Sequence, residues 1–359
     1  MKRTYWIQLI VLVLIISSCG NNDDDLFDNL NSLPESSEVF YLINNDRVMK
    51  WTTDGEVWTD IYITFNATQN TPNNAQFQTD GKRVYAYAGG TLYDAEKGAY
   101  YNVLGLGNNP ANKADFALTN LASHILDYVT GEIKTVPHSF VQFSTFQLSS
   151  TGVDLTNVTD FVSTLSIVFA NVNDGRIIYS DDDGVSWKET NTQVGGQDVS
   201  LEKVWAYGEK FYGIANGRVH HSTDAINWTE YNVDYDFIAS GGDTTVNAIV
   251  SSVFAENDYV NFRLEENVTV VGGTAFSKTT LLESENDGNS WTGTEIDISG
   301  QSNDMIMNIS GIYVTEINSA EKGDRSLHYS SDLENWNLIE GEKMYMEYVY
   351  QLFKAQTVR

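Results

Sequence analysis

Ser284-Glu-Asn286-Asp-Gly288-Asn-Ser-Trp291 is one of five segments in this chain that spell the same turn. The others are Thr52-Thr-Asp54-Gly55-Glu-Val-Trp58, Ser180-Asp-Asp182-Asp-Gly184-Val-Ser-Trp187, Ser222-Thr-Asp224-Ala-Ile-Asn-Trp228 and Ser330-Ser-Asp332-Leu-Glu-Asn-Trp336. Each begins with a hydroxyl and ends on an indole six or seven residues later. The hydroxyl and the Asp or Asn accept hydrogen bonds from backbone N–H groups one or two residues ahead, which closes a rigid turn. Gly55, Gly184 and Gly288 supply positive φ without a Cβ penalty. The Trp then opens a strand and carries a large apolar ring into the core, with an N–H that needs an acceptor.

Self-similarity at a period of roughly 20–50 residues marks a solenoid, a propeller or an array. The spacings between the five tryptophans are 129, 41, 63 and 45 residues. A four-stranded propeller repeat takes about 40–45 residues. The gap of 129 therefore reads as three repeats with two turns worn away, and the gap of 63 as one repeat carrying extra length.

These segments resemble Asp-box (BNR) repeats, which occur in sialidases and in other β-propellers. Ala225 and Leu333 stand where that pattern usually has Gly, and Asn286 replaces its Asp. The resemblance implies an all-β fold: a seven-bladed propeller of four-stranded antiparallel blades, with six blades as the alternative. It also implies that the box is structural and lies away from a catalytic face.

Strand patterns fill the rest. Around Trp228 the expected strands are 200–207, 210–215, 218–221 and 228–231, with Asn216-Gly217 as a two-residue hairpin turn. The preceding repeat reads 160–163, 167–172 and 176–179, and the boxless stretches read 83–88, 91–94, 99–103, 115–119, 124–129, 132–136 and a strand within 140–148. The first box is preceded by only two strands, 39–43 and 47–51. The last is followed by an unpaired aromatic run, 344–353, which is expected to supply the missing inner strand and close the ring.

The opening residues read as a targeting signal. Lys2 and Arg3 precede an apolar run from Ile7 to Ile16, and Ile16-Ser-Ser-Cys19-Gly20 follows. This resembles a bacterial lipobox, which implies cleavage before Cys19 and its lipidation; an ordinary secretory signal is the alternative. The run is shorter than the ~20 residues of a membrane span. Gly20-Asn-Asn-Asp-Asp-Asp25 resembles the export signal of surface lipoproteins in Bacteroidota, and a plain solvated spacer would look similar. The expected organisation is a signal peptide (1–18), a lipidated tether (19–37) and one propeller domain (38–359). The expected location is the outer membrane, facing outward.

Cys19 is the single cysteine, so with its thiol lipidated the chain offers no disulfide, zinc-thiolate or Cys nucleophile. The net charge of −28 repels nucleic acid and anionic membranes, leaving the lipid as the membrane contact.

Sialidases resemble one another in an Arg triad whose first member sits in an Arg-Ile-Pro type motif, and no arginine here is followed by one. Arg176 and Arg218 share one repeat position, as do His220 and His328, which points to packing roles. Glu202, Asp243, Asp304 and Glu347 lie at or near expected inner strands, where a carboxylate pair could serve a glycoside hydrolase. No histidine cluster, EF-hand loop, phosphate loop or nucleophile elbow stands out, and no cofactor or metal is expected. The favoured reading is a binding or docking module for a glycan or an envelope protein, with a glycoside hydrolase as the alternative. Candidate ligand contacts are the inner-strand aromatics Trp205, Tyr348 and Tyr350 and the amide-rich links 66–74, 105–113 and 232–243. The extra length in the long repeat is expected within 254–278, as the recognition element.

Overall fold

A computed structural model describes residues 40–43, 48–52, 55, 59–62, 76–79, 84–88, 91–94, 99–102, 114–127, 131–138, 144–147, 155–172, 174–233, 244–270, 273–296, 305–318, 325–339 and 351–354. Apart from one 3-10 turn at Leu155–Asn157, their regular structure is all strand. The strands form consecutive antiparallel meanders of four.

The first sheet holds Phe40–Ile43, Val48–Thr52 and Thr59–Tyr62, and its innermost strand is Gln351–Lys354 from the far end of the chain. Phe40 pairs with Lys354 and Ile43 with Gln351, so the closure expected from the aromatic run is made by its last residues and Lys354. The second sheet is Gln76–Thr79, Val84–Ala88, Thr91–Asp94 and Ala99–Asn102; the third is Ala114–Leu118, Ala122–Asp127, Glu132–Pro137 and Ser144–Gln147. The fourth is Val158–Ser163, Val168–Val172, Arg176–Ser180 and Lys188–Val194, and the fifth Lys203–Tyr207, Lys210–Ala215, Arg218–Ser222 and Asn227–Glu230. The sixth runs Thr244–Glu256, Tyr259–Val270, Phe276–Ser284 and Thr292–Ile296, and the seventh Met307–Ile309, Ile312–Asn318, Arg325–Ser330 and Asn337–Leu338.

The innermost strands come together in order. Gln351–Lys354 lies against Gln76–Thr79, that strand against Ala114–Leu118, and so on through Val158–Ser163 and Lys203–Tyr207 to Thr244–Glu256. Meanders arranged radially by their first strands make a β-propeller. The fourth and fifth sheets are also joined at their outer edges, where Gln193 and Val194 pair in parallel with Asn227 and Trp228. That seam, and the short strand Gln197–Val199 that folds back through Gly195-Gly196, were not anticipated, although Gly-Gly between strand-like residues is a hairpin signal.

The core lies between sheets, because neighbouring residues of a strand point to opposite faces. Ile178 joins the core shared with the third sheet, and Ile177 the one shared with the fifth. Phe211 and Tyr212 divide in the same way, as do Val253 with Phe254 and Leu282 with Leu281. Each such side chain stabilises by roughly 1.5–3 kcal/mol when fully buried. Buried polar groups also bridge sheets: Ser163 Oγ donates to Leu118 O at 2.6 Å, Asn171 Nδ2 to Leu201 O at 3.0 Å and Asn261 Nδ2 to Ile306 O at 3.0 Å.

The boxes connect third to fourth strands and lock each sheet to the one before it. Ser180 Oγ accepts from Gly184 N at 2.8 Å, and Ser284 Oγ from Gly288 N at 2.8 Å. The carboxylate reaches further than one or two residues. Asp182 Oδ1 accepts from Ser186 N, four residues on, and Asp332 Oδ1 from both Glu334 N and Asn335 N. Asn286 keeps the backbone bond, to Ser290 N at 2.9 Å, and uses its amide to donate to Ser290 Oγ. Where glycine is missing, Ala225 and Leu333 adopt φ of 67° and 63°. The indole expectation holds in part. Trp228 is buried and Trp187, Trp291 and Trp336 are half-buried. Three indoles donate to a carbonyl of their own box, at Ala225, Gly288 and Leu333, whereas buried Trp187 Nε1 has no partner. Asp54 and Trp58 lie outside the described residues.

A side chain added at Gly184 would collide with Thr135 and His124 of the third sheet, and one at Gly288 with Tyr231 at 2.2 Å. Leu333 packs with Leu281 and Ile296 of the sixth sheet. The box of the first sheet continues the series on the last one, with Gly55 against Ile309 and Ile312.

Removing residues 344–359 is expected to expose the Phe40–Ile43 edge, abolish cooperative thermal unfolding and yield aggregates on gel filtration; a monomeric, cooperatively melting product would overturn the closure. Gly288→Ala, at φ +83° and against Tyr231, should cost about 2–4 kcal/mol in denaturant unfolding. Gly217→Ala, at φ +70° with open space around it, should cost only about 1 kcal/mol.

Candidate functional site

In a four-stranded meander the third-to-fourth turn shares its end with the first-to-second turn. The boxes thus occupy one face of the disc, and the starts of the inner strands, with the second-to-third turns, occupy the other. The boxed face is engaged in holding sheets together. The opposite face carries the side chains that distinguish one sheet from the next.

On that face the fourth and fifth inner strands meet at Asp160. Thr159 Oγ1 donates to its carboxylate at 3.0 Å and Asn171 Nδ2 at 3.1 Å, and the Val204 N–H of the neighbouring strand donates as well. Burial raises the Asp160 pKa, and these hydrogen bonds with the nearby Lys203 charge only partly offset it. Asp160 therefore ties two inner strands together. No sequence signal singled it out, because its burial comes from the neighbouring sheet. Glu202, a candidate from the sequence, is exposed and accepts the Gly217 N–H at 3.1 Å, which fixes the turn beside it. Asp243, Asp304 and Glu347 lie outside the described residues, as do Tyr348, Tyr350 and Cys19.

Trp205 lies on the fifth inner strand, paired with Tyr212. It is half-buried, packed against the cluster that contains Val250 and Leu264 of the sixth sheet. Lys203 Nζ sits 4.9 Å from its ring centroid, a cation–π contact. Alternation along the strand puts both side chains on one side, so an aromatic face and an ammonium group lie together.

Beside them rises the least repetitive part of the molecule. The long repeat was expected to carry its extra length within 254–278, and the structure places part of it there, at 264–270 and 276–278, and the rest at 244–250. Only Asn257 and Asp258 separate the strands Thr244–Glu256 and Tyr259–Val270. The extra length is in the strands themselves and begins at Thr244, because the β-branched run keeps pairing instead of turning. Residues 244–250, 264–270 and 276–279 make a three-stranded ribbon that continues past the sheet on the face away from the boxes. Seven residues of strand extend about 20 Å. A register shift between Val250 and Ser252 marks its foot. One side of the ribbon is buried. There Glu266 is fully enclosed, accepts a short hydrogen bond from Thr280 and faces Lys278 Nζ at 3.4 Å, while its Oε1 has no partner. The other side exposes Ile249 and Asn267.

The described histidines are held in packing and hydrogen bonds. His124 of the third sheet meets Thr119 Oγ1 at 3.2 Å and Thr135 Oγ1 at 3.1 Å, with Trp187 edge-on. His220 is buried against the Arg218 carbonyl. Asp181 of the acidic run pairs with Lys188 at 2.6 Å, while Asp182 serves its turn. Among the described residues no group of three His, Cys, Asp or Glu side chains is placed to hold a metal ion.

No protein-family profile matches the chain, and no curated protein matches it. Among solved structures it is similar to YCF48 from Cyanidioschyzon merolae, with 11% identity over 78% of this chain and 89% of that one, at a TM-score of 0.46. The dihydro-heme d1 dehydrogenase NirN in complex with DHE shares 11% identity over 90% of this chain and 78% of its own, at 0.45. BamB from Moraxella catarrhalis shares 12% over 75% and 88%, at 0.41. At these TM-scores the likenesses carry no argument, and the fold rests on the strand pairing above.

Burial, and secondarily His138, lowers the His124 pKa from 6.5 to about 3. As pH falls below 6.5 the unfolded chain takes up a proton that the folded one refuses, so stability falls between pH 6.5 and about 3. His124→Gln is expected to flatten this dependence, most clearly between pH 6.5 and 5, where urea unfolding measures it; an unchanged slope would show that His124 contributes nothing to it.

Proposed function

We propose that this chain is a lipid-anchored, surface-exposed, seven-bladed propeller that binds a glycan or an envelope protein and carries out no chemistry of its own. The observation that carries this reading is the ribbon of the sixth sheet, whose pairing continues past the rest of its sheet beside the Trp205–Lys203 pair. A rigid disc with one projecting element and an aromatic–cation pair at its foot suits recognition. The aromatic face offers stacking to a sugar ring or a peptide side chain, and the ammonium offers hydrogen bonds.

Three further features support the reading. Two of the described carboxylates at the inner-strand starts have structural work: Asp160 joins strands and Glu202 caps a turn. The blade number is supported by seven four-stranded groups, counting the joined fourth and fifth sheets as two, and by the box-on-preceding-sheet contact that runs from the last sheet to the first. Anchoring and outward location are supported by the lipobox-like residues ending at Cys19 and the acidic spacer after it. A tether of about twenty residues would let the disc stand off the membrane.

The test is a broad glycan array probed with residues 26–359. Reproducible capture of one glycan class is expected, weakened about tenfold or more by Trp205→Ala and severalfold by Lys203→Met. A blank array, with cross-links on intact cells mapping to the same face, would assign a protein partner. Hydrolysis of the captured glycan by the unaltered protein would overturn the binding-only reading in favour of a glycoside hydrolase.

A further inference from the structure

We propose that residues 244–249, the inner edge of the ribbon, take up an extended basic peptide segment as an added β-strand. The inference rests on the binding reading above and names the partner class and the element that meets it.

The ribbon has two edges, and they differ. On the outer side, Thr292–Ile296 covers the third strand only from Thr279 onward, which leaves Phe276–Lys278 unpaired by it. That edge carries Lys278, whose ammonium turns inward to Glu266, and an inward-pointing charge is a device that blunts strand pairing. On the inner side, residues 244–250 read Thr-Thr-Val-Asn-Ala-Ile-Val, with no charge, proline or glycine. Among the described residues this stretch pairs on one side only, with Leu264 to Val270 of the second strand. The next inner strand, Met307–Ile309, is three residues long and makes no ladder with it. The register shift that could have twisted the edge away lies at the foot, between Val250 and Ser252, and the pairing above it is regular. Among the described residues the edge is thus β-branched, regular and without a second strand, and it offers a row of backbone donors and acceptors.

The chemistry of the occupant follows from what lies beside the edge. Ile249 is 53% exposed, so a strand laid against it gains by placing an apolar side chain there. Glu265, the cross-strand partner of Ile249, is itself partly exposed. The whole chain carries 49 acidic against 21 basic residues, a field that attracts basic segments and repels acidic ones. An occupant alternating apolar residues with Lys or Arg satisfies both demands.

The test uses the soluble chain and a fluorescein-labelled octapeptide of alternating lysine and valine, read by anisotropy. Its controls are the peptide with glutamate for lysine and the lysine peptide with alternate amides N-methylated. Saturable binding is expected, lost at least tenfold with Ile249→Lys, retained with Ile249→Val, and lost with N-methylation, which removes backbone donors and keeps the charge. Binding indifferent to N-methylation and to Ile249→Lys would show charge attraction alone and overturn strand addition. Absence of binding by a protein that still captures a glycan overturns the edge proposal and leaves the binding reading standing. Absence of both, with no cross-links on intact cells mapping to that face, overturns the two together. Because Ile249 is exposed, its variants are expected to melt with the parent, and the thermal profile confirms that each is folded.

Discussion

Where their side chains are described, the fourth, fifth and sixth sheets are apolar on both faces, and this constraint governs the rest. Consecutive residues such as Ile177 and Ile178, or Leu281 and Leu282, serve two different cores. A sheet of that kind cannot stand alone or end a stack, because whichever face lacked a neighbour would meet water. The arrangement that leaves no outer face is a ring. Closure by Gln351–Lys354 on Phe40–Ile43, and contact of Gly55 with Ile309 and Ile312, are what this demands where first and last sheets meet.

The box turn is the local device that makes such packing possible. It satisfies its own backbone with one hydroxyl and one carboxamide or carboxylate, and it brings a surface without a side chain, or with a small or buried one, against the preceding sheet. Substitution within it is tolerated when the hydrogen bonds survive. Asn286 retains the accepting oxygen, and Ala225 and Leu333 hold left-handed backbone that costs each roughly 1–2 kcal/mol relative to glycine. Leu333 offsets that cost by burying its side chain between the last two sheets. The unpaired Trp187 indole is the one place among the described boxes where the pattern is left incomplete.

Commitment of one face to structure leaves the other free to diverge. There the inner strands begin, Asp160 and Glu202 are spent on joining elements, and Trp205 and Lys203 are left as a pair beside the ribbon. The ribbon is built from the same antiparallel pairing as the sheet below it. A few additional β-branched residues in each strand convert a routine meander into a projection, at little cost to the disc.

The repeat, the strand order and the C-terminal closure were legible in the residues themselves, because a box needs particular side chains at fixed offsets and strand alternation needs only a local window. Arg218 to Ser222 or Thr91 to Asp94 could be placed within a residue or two for that reason. Tertiary structure alone decided the rest. It enclosed Asp160 and His124, the first closed in by Val204 and the second by Trp187 of the next sheet, and it joined the outer strands of the fourth and fifth sheets. It also built the extra length as a continuous hairpin that begins at Thr244, ahead of the 254–278 stretch to which the sequence had pointed. Burial and partner choice depend on residues distant in the chain, and no local pattern records which face of a strand will be met, or by what.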